Sequence, residues 1–313
     1  MMRNRMLKGA LCLTAATMAI IFHNPQTAHA KTIKITAESG KGRDIQNALD
    51  ASKKDPKNLY IVKVPEGTHR LDRELYIPSN TMLDLRSVTL KPWEPGYRIL
   101  EFGSVNYGPA GGYRGGKNIK ILGGILDAGT RRNAGNLCTF SHVQNVTFDG
   151  TVFKYLPKKK IRANNRNTHM IEFAAAKDVT IKKCKFYNNK NCRPNNETIQ
   201  IESIRNERKL LETSPDDFGK RDGTQCKNVT IKDCYFRGFN YGCGSNHLSK
   251  KDHFSNMKFI RNTFVGAKKY AICIFGYRNV LISGNKLLKS GRLYLNQGSK
   301  GVKAKYQLKE DFI

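Results

Sequence analysis

Apolar residues recur along this chain in short, paired pulses. Lys117–Ile121, Gln144–Phe148, Lys177–Ile181, Lys227–Ile231, Ser255–Phe259 and Arg278–Ile282 each read Asn or Asp, apolar, any residue, apolar. A second pulse follows five residues later, at Leu126, Phe153, Phe186, Phe236, Phe264 and Leu287. Alternation of this kind predicts strands, not helices. The segments start 27, 33, 50, 28 and 23 residues apart. The shortest interval suggests a structural unit of 23 residues with insertions in the longer ones, and a period of about 20–50 residues marks a solenoid. Each unit is then one turn of a coil, and successive turns stack as parallel strands.

The polar positions support the same reading. Asn118, Asn145, Asp178, Asn228, Asn256 and Asn279 each stand just before a strand. Asn tolerates left-handed backbone and bonds neighbouring peptides at bends, so stacked coils predict an Asn ladder inside the turn. Cys184, Cys234, Asn262 and Asn285 share another turn position and are expected in the coil interior. A further strand is predicted ahead of each Asn, over Leu137–His142, His169–Ala174, Thr198–Ser203, Gly242–His247 and Tyr270–Phe275. Near the start, Ile45, Ala48 and Leu49 fall at helical spacing within 43–51. A short helix there would cover the otherwise open end of the solenoid. Two insertions, 154–168 and 204–226, are rich in charge, and long loops on a rigid repeat are where function usually sits. Residues 298–313 are polar and fit no element.

Charge narrows the partners. The chain has 313 residues, with 55 Lys plus Arg against 25 Asp plus Glu, a net charge of +30. Residues 1–30 read as a secretory signal: Arg3, Arg5 and Lys8, an apolar run from Leu11 to Phe22, and Ala28-His29-Ala30 as a cleavage site. A retained anchor is the alternative, although the run is short for a membrane span. Removing the three basic residues leaves +30 − 3 = +27 on residues 31–313, which form one domain. No other stretch reads as transmembrane. Such charge favours anionic polymers, and no nucleic-acid motif with defined spacing is present. Eight cysteines fall to seven without the signal, and an odd number argues against a complete disulfide framework.

The capping helix, Val64-Pro65-Glu66-Gly67-Thr68, Asn80-Thr81-Met82-Leu83-Asp84-Leu85 and the Asn-Val-Thr-Ile coils resemble secreted proteins of the pectate lyase superfamily. The resemblance covers most of 31–297 and implies an all-β fold, a right-handed single-stranded parallel β-helix. His169-Met170-Ile171-Glu172-Phe173, Glu197–Glu202, Asp222–Cys226 and Gly242–His247 resemble a bacterial polygalacturonase-like subgroup. The Asn-Thr-Asp, Asp-Asp, Gly-His-Gly and Arg-Ile-Lys motifs of polygalacturonases are absent in that form.

Aligning the strands that precede the Asn row places Glu172, Gln200, Gly244 and Cys273 in one row. Ala174, Glu202, Asn246 and Phe275 lie two residues along. With Ile171, Phe173, Ile199 and Ile201 inward, Glu172, Gln200, Glu202 and Asn246 face outward, with His247 at the edge. Coil spacing of about 4.8 Å and a two-residue advance of about 6.6 Å put Glu172 and Glu202 about 8 Å apart at the backbone. That separation permits an acid–base pair for glycoside hydrolysis. Elimination from a uronide would instead use a base such as His247, with cationic loops neutralising the substrate. His169, Glu197, Gln200, Asn246, Arg221 and Asp222 are the candidate substrate contacts. No cofactor is expected; calcium is the one ion the carboxylates could hold. The alternative to an enzyme of acidic polysaccharides is a monomeric, non-catalytic rod that binds them outside the cell.

Overall fold

The computed structural model describes residues 31–93, 98–105, 109–129, 136–155, 169–188, 197–202, 204, 218–245, 253–289, 291–305 and 308–310, the last of these as backbone alone. Among them are 23 strands, one α-helix and one 3-10 turn. Every recorded strand pairing is parallel, and most join one coil to the next through the same position of the repeat. Three strips of strands therefore run along the solenoid. The first includes Leu100–Gly103, the start of Cys138–Asp149, the start of Ile171–Lys182, Glu197–Glu202, the end of Tyr235–Gly244, the end of Thr263–Phe275 and Arg292–Gln297. The second follows each bend, through Val179–Lys182, Lys227–Lys232, Ser255–Ile260, Arg278–Ser283 and Lys300–Lys305. The third carries the second apolar pulse, through Val152–Lys154, Lys185–Tyr187, Tyr235–Arg237 and Thr263–Val265.

The period-2 alternation becomes an interior of stacked side chains. Phe153, Phe186, Phe236 and Phe264 stack with centroids 4.9, 4.6 and 4.7 Å apart, close to the coil spacing. Phe102, Phe140 and Phe173 form a second stack at 4.5 and 4.7 Å. The helix Gly42–Asp50 lays Ile45, Ala48 and Leu49 on the first coils and buries all three.

The polar ladders form, with one correction. Asn118 donates to Asn80, Asn145 to Asn118, Asn228 to Asp178, Asn256 to Asn228 and Asn279 to Asn256, at 2.7–3.3 Å. All these residues have φ between 54° and 57°. The ladder runs along the outer edge of the bend, however, where Asn145, Asp178, Asn256 and Asn279 are exposed. The interior ladder is the other one. Asn262 and Asn285 are fully buried, and each amide donates to a backbone carbonyl of the preceding coil, Ile231 and Phe259. Cys234 and Cys184 continue the stack, each thiol donating to a carbonyl of its own turn. Cys138, Cys184, Cys226, Cys234, Cys243 and Cys273 are all buried and unbridged.

The polar tail, left unplaced by its pattern, forms a further coil. Lys300–Lys305 extends the second strip and Leu308–Glu310 the third. Gly301, at φ 66°, stands opposite Asn279, so the usual Asn signal is missing there. Among the described residues no helix is long and apolar enough to cross a membrane. The proposed signal, residues 1–30, and most of the two insertions lie outside the described residues.

Candidate functional site

The outer face of the first strip carries a polar row. In register, Glu101 meets Thr139, Thr139 meets Glu172, Glu172 meets Gln200, Gln200 meets Gly244, and Gly244 meets Cys273. Ala174 pairs with Glu202 in the row two residues along. Alternation turns Leu100, Phe102, Cys138, Phe140, Ile171, Phe173, Ile199 and Ile201 into the core, so their neighbours point outward. Gly244 has no alternative residue: at φ 126° a Cβ there would lie 1.8 Å from the Cys273 carbonyl oxygen.

Glu172 is 8% exposed and accepts a hydrogen bond from the Asn136 amide, whose oxygen in turn accepts from the His169 backbone N–H at 2.7 Å. Gln200 donates to the half-buried Glu202 carboxylate at 2.9 Å. Each carboxylate is thus oriented by an amide from its own face.

Two coils earlier the row continues into Glu101, Arg98 and Glu74. The Arg98 guanidinium reaches Glu101 at 3.3 Å, Glu74 at 3.6 Å and the Thr139 hydroxyl at 3.1 Å. Burial, reinforced by the neighbouring Glu74 charge, pushes Glu101 up to about 7 despite the pull of Arg98. Glu101 therefore still holds a proton near neutrality, the protonation state a carboxylic acid donor needs. The sequence reading passed over this group. A signal was present, since Ile99-Leu100-Glu101-Phe102 repeats Met170-Ile171-Glu172-Phe173 nearly residue for residue.

A strap covers one side of the face. Ile204 and Phe218 pack on Ala174 and Ala175, the small residues of the bend. The Ser141 hydroxyl donates to the Phe218 carbonyl at 2.8 Å. Both ring nitrogens of buried His142 sit against carbonyls, Gly112 at 2.7 Å and Lys220 at 2.8 Å. Asp222 accepts from the Gly112 N–H at 2.7 Å and the Thr224 N–H at 3.0 Å. Burial opposes its charge, but the hydrogen bonds of Thr224 and Gly112 outweigh burial and hold the carboxyl below its usual range. The strap explains why Ser141 and Ala174 are buried on an outward face, and Arg98 and Asn136 lie against buried Thr139.

The structure brings Glu172, Gln200 and Glu202 together and gives His169, Glu197, Arg221 and Asp222 other surroundings. His169 is buried, and its Nδ1 donates to the Glu197 carbonyl at 2.6 Å, a latch between coils. Glu197 is itself fully buried, in register with Tyr241 on the next coil. Arg221 and Asp222 belong to the strap, where Asp222 ties two loops together. Asn246 and His247 lie outside the described residues. Burial, and then the charge of Glu197, push the Cys243 and Cys273 thiols well up, so neither is an active nucleophile. Among the described residues no cluster of three or more His, Cys, Asp or Glu is arranged to hold a metal ion.

Comparison with known proteins agrees with this architecture. The family described as right handed beta helix region matches residues 131–287. The chain belongs to the right-handed β-helix family. This β-helix is 25% identical over 282 residues to plasmin and fibronectin-binding protein A of Streptococcus pneumoniae, covering 78% of this chain and 36% of that one. The chain thus spans about a third of the length of that relative. Among solved structures it is similar to PfbA, a surface adhesin of S. pneumoniae, at TM-score 0.68 and 21% identity over 88% of this chain and 72% of that one. It is also similar to a family 28 exopolygalacturonase of Yersinia enterocolitica, at TM-score 0.51 and 13% identity over 89% and 66%. The two structural likenesses are to the fold. The solenoid and its capping helix agree with the reading from the repeats.

Proposed function

We propose that this β-helix is an exported protein that lays an acidic, uronate-containing polysaccharide across the outer face of its first strip and hydrolyses a glycosidic bond there. The observation that carries the reading is the pair Glu172 and Glu202. They stand on adjacent coils, two residues apart in register, and each is oriented by an amide. Their backbones are about 8 Å apart by coil and strand spacing. Side chains of that reach suit a pair in which one carboxyl protonates the leaving oxygen and the other activates water. The net charge of +30 favours an anionic substrate. Export rests on the basic and apolar leader in the sequence and on the similarity to a surface adhesin.

The similarity to a plasmin and fibronectin-binding protein favours a second reading, a non-catalytic surface rod that holds its ligand by the same face. The test is incubation with polygalacturonate and other uronate polymers while following new reducing ends and the ultraviolet absorbance of unsaturated uronides. Reducing ends without absorbance, lost in Glu202→Gln, is the expected result. Rising absorbance would move the chemistry to elimination. Binding with neither signal would leave the rod.

A further inference from the structure

We infer that the outer face of the second strip, over its C-terminal coils, is a separate binding surface for acidic polysaccharide, away from the Glu172–Glu202 face. The choice of ligand class rests on the proposed function; the surface rests on its own geometry. Lys227–Lys232, Ser255–Ile260, Arg278–Ser283 and Lys300–Lys305 contain seven Lys or Arg residues and no Asp or Glu. The earlier coils of the same strip are neutralised. There Lys120 and Lys182 share Asp149 at 3.4 and 3.1 Å, and Lys177 pairs with Asp178 at 3.6 Å. Asp233, the carboxylate next in sequence after Lys232, is held by Arg261 in a two-point pair at 2.7 and 2.9 Å.

Parallel register places Arg278 opposite Lys300, and Lys258 and Lys303 in one row with Leu281 between them. Like charges directly opposite in a sheet destabilise it, at a coil spacing of about 4.8 Å. A polymer with one carboxylate per sugar ring, laid along the solenoid axis, offsets that repulsion.

The same face is concave. A groove of about 540 Å³ is lined by Lys258 and Lys303, by Thr230, and by the Asn228, Asn256 and Asn279 ladder. This volume is in the range of small-ligand sites, about 300–1,000 Å³. Lys258 and Lys303 are exposed. Ammonium groups suit the carboxylates of such a polymer, and amides with a hydroxyl suit its sugar hydroxyls. The lining has no aromatic residue, the platform that single-stranded nucleic acid uses.

The experiment measures binding of polygalacturonate to the full chain by calorimetry across a salt series, for the wild type, Lys258→Glu/Lys303→Glu and Lys258→Arg/Lys303→Arg. The expected result is a loss of about tenfold or more in affinity and a shallower salt slope for the Glu variant. The Arg variant should retain affinity, and thermal unfolding of both should match the wild type. Lys54→Glu/Lys57→Glu, exposed just after the N-terminal helix, reverses the same charge away from both faces and should bind polygalacturonate as the wild type does. Unchanged affinity in Lys258→Glu/Lys303→Glu would overturn the inference. So would equal affinity for a DNA duplex of matched charge, lost in the same variant, because the surface would then select charge alone. Failure of the hydrolysis assay with the binding loss intact would remove the proposed activity and leave this surface standing.

Discussion

The outer faces of the first and second strips share one chain, one coil spacing and one interior, and they have opposite surfaces. The first collects Glu74, Glu101, Glu172 and Glu202, ties them to Arg98, Asn136 and Gln200, and is partly covered by the 218–225 strap. The second, over its last coils, carries cations without carboxylates beside an Asn ladder. The contrast teaches that the interior of a solenoid is set by the repeat, whereas each outer face is set by what crosses it. Carboxyl groups brought together and shielded from water can differ in proton affinity, as Glu101 does. Exposed lysines act instead through their number and spacing.

The comparison breaks most sharply at turnover. Glu172→Gln and Glu202→Gln should each lower the hydrolytic rate by about 10²–10⁴-fold with polysaccharide binding retained, read by reducing-end release alongside calorimetry. Full activity in both would empty the first face of its proposed role. Substitutions in the shared interior come next. Phe236→Ala, in the middle of the Phe153–Phe264 stack, should cost about 3–5 kcal/mol in denaturant unfolding. Lys258→Ala, on the open face, should stay within about 0.5 kcal/mol of the wild type.

Acidity sharpens the comparison further. Glu101 titrates near 7 in the folded chain against 4.5 when unperturbed. The fold therefore favours its protonated form, and the associated stability is complete below pH 4.5 and is lost as pH rises to about 7. Glu101→Gln cannot lose a proton, so it should match the wild type at pH 4 and exceed it in melting temperature at pH 8. A gain that is the same at both values would show that the group does not titrate in that window. A modest effect is expected at the strap. Asp222→Ala removes the acceptor for the Gly112 and Thr224 N–H groups and should cost about 1 kcal/mol. Faster proteolysis within 218–225, with little change in global unfolding, is the corresponding readout.

Much of the architecture was legible before any coordinates. The alternation at Val229 and Ile231, followed by Phe236, is local and repeats, so strand, period and stacking partner could be read together. Asn228 before the strand marked a left-handed bend, because few other residues adopt that backbone at small cost. Aligning the apolar pattern of the strands ahead of those bends also brought Glu172 opposite Gln200 and Ala174 opposite Glu202, in the register observed. The side of the bend taken by the Asn ladder was misjudged, since periodicity places a residue at a corner without saying which way its amide turns. Gly301 hid the last coil by replacing the one residue used as a marker.

The sequence by itself determined the stacked coil, its interior and the register of the candidate carboxylates, because each depends on residues a few positions apart and on hydrogen bonds repeated at one spacing. Only the tertiary structure decided which outward groups are exposed and which are paired. Asn136 and Glu172 are 36 residues apart, Ser141 and Phe218 are 77, and Gly112 and Asp222 are 110. No local pattern encodes such contacts; they exist because the coils bring distant loops to one height on the solenoid. The raised proton affinity of Glu101 and the burial of Glu197 likewise come from tertiary packing, since desolvation depends on everything that surrounds a group and not on its neighbours in the chain.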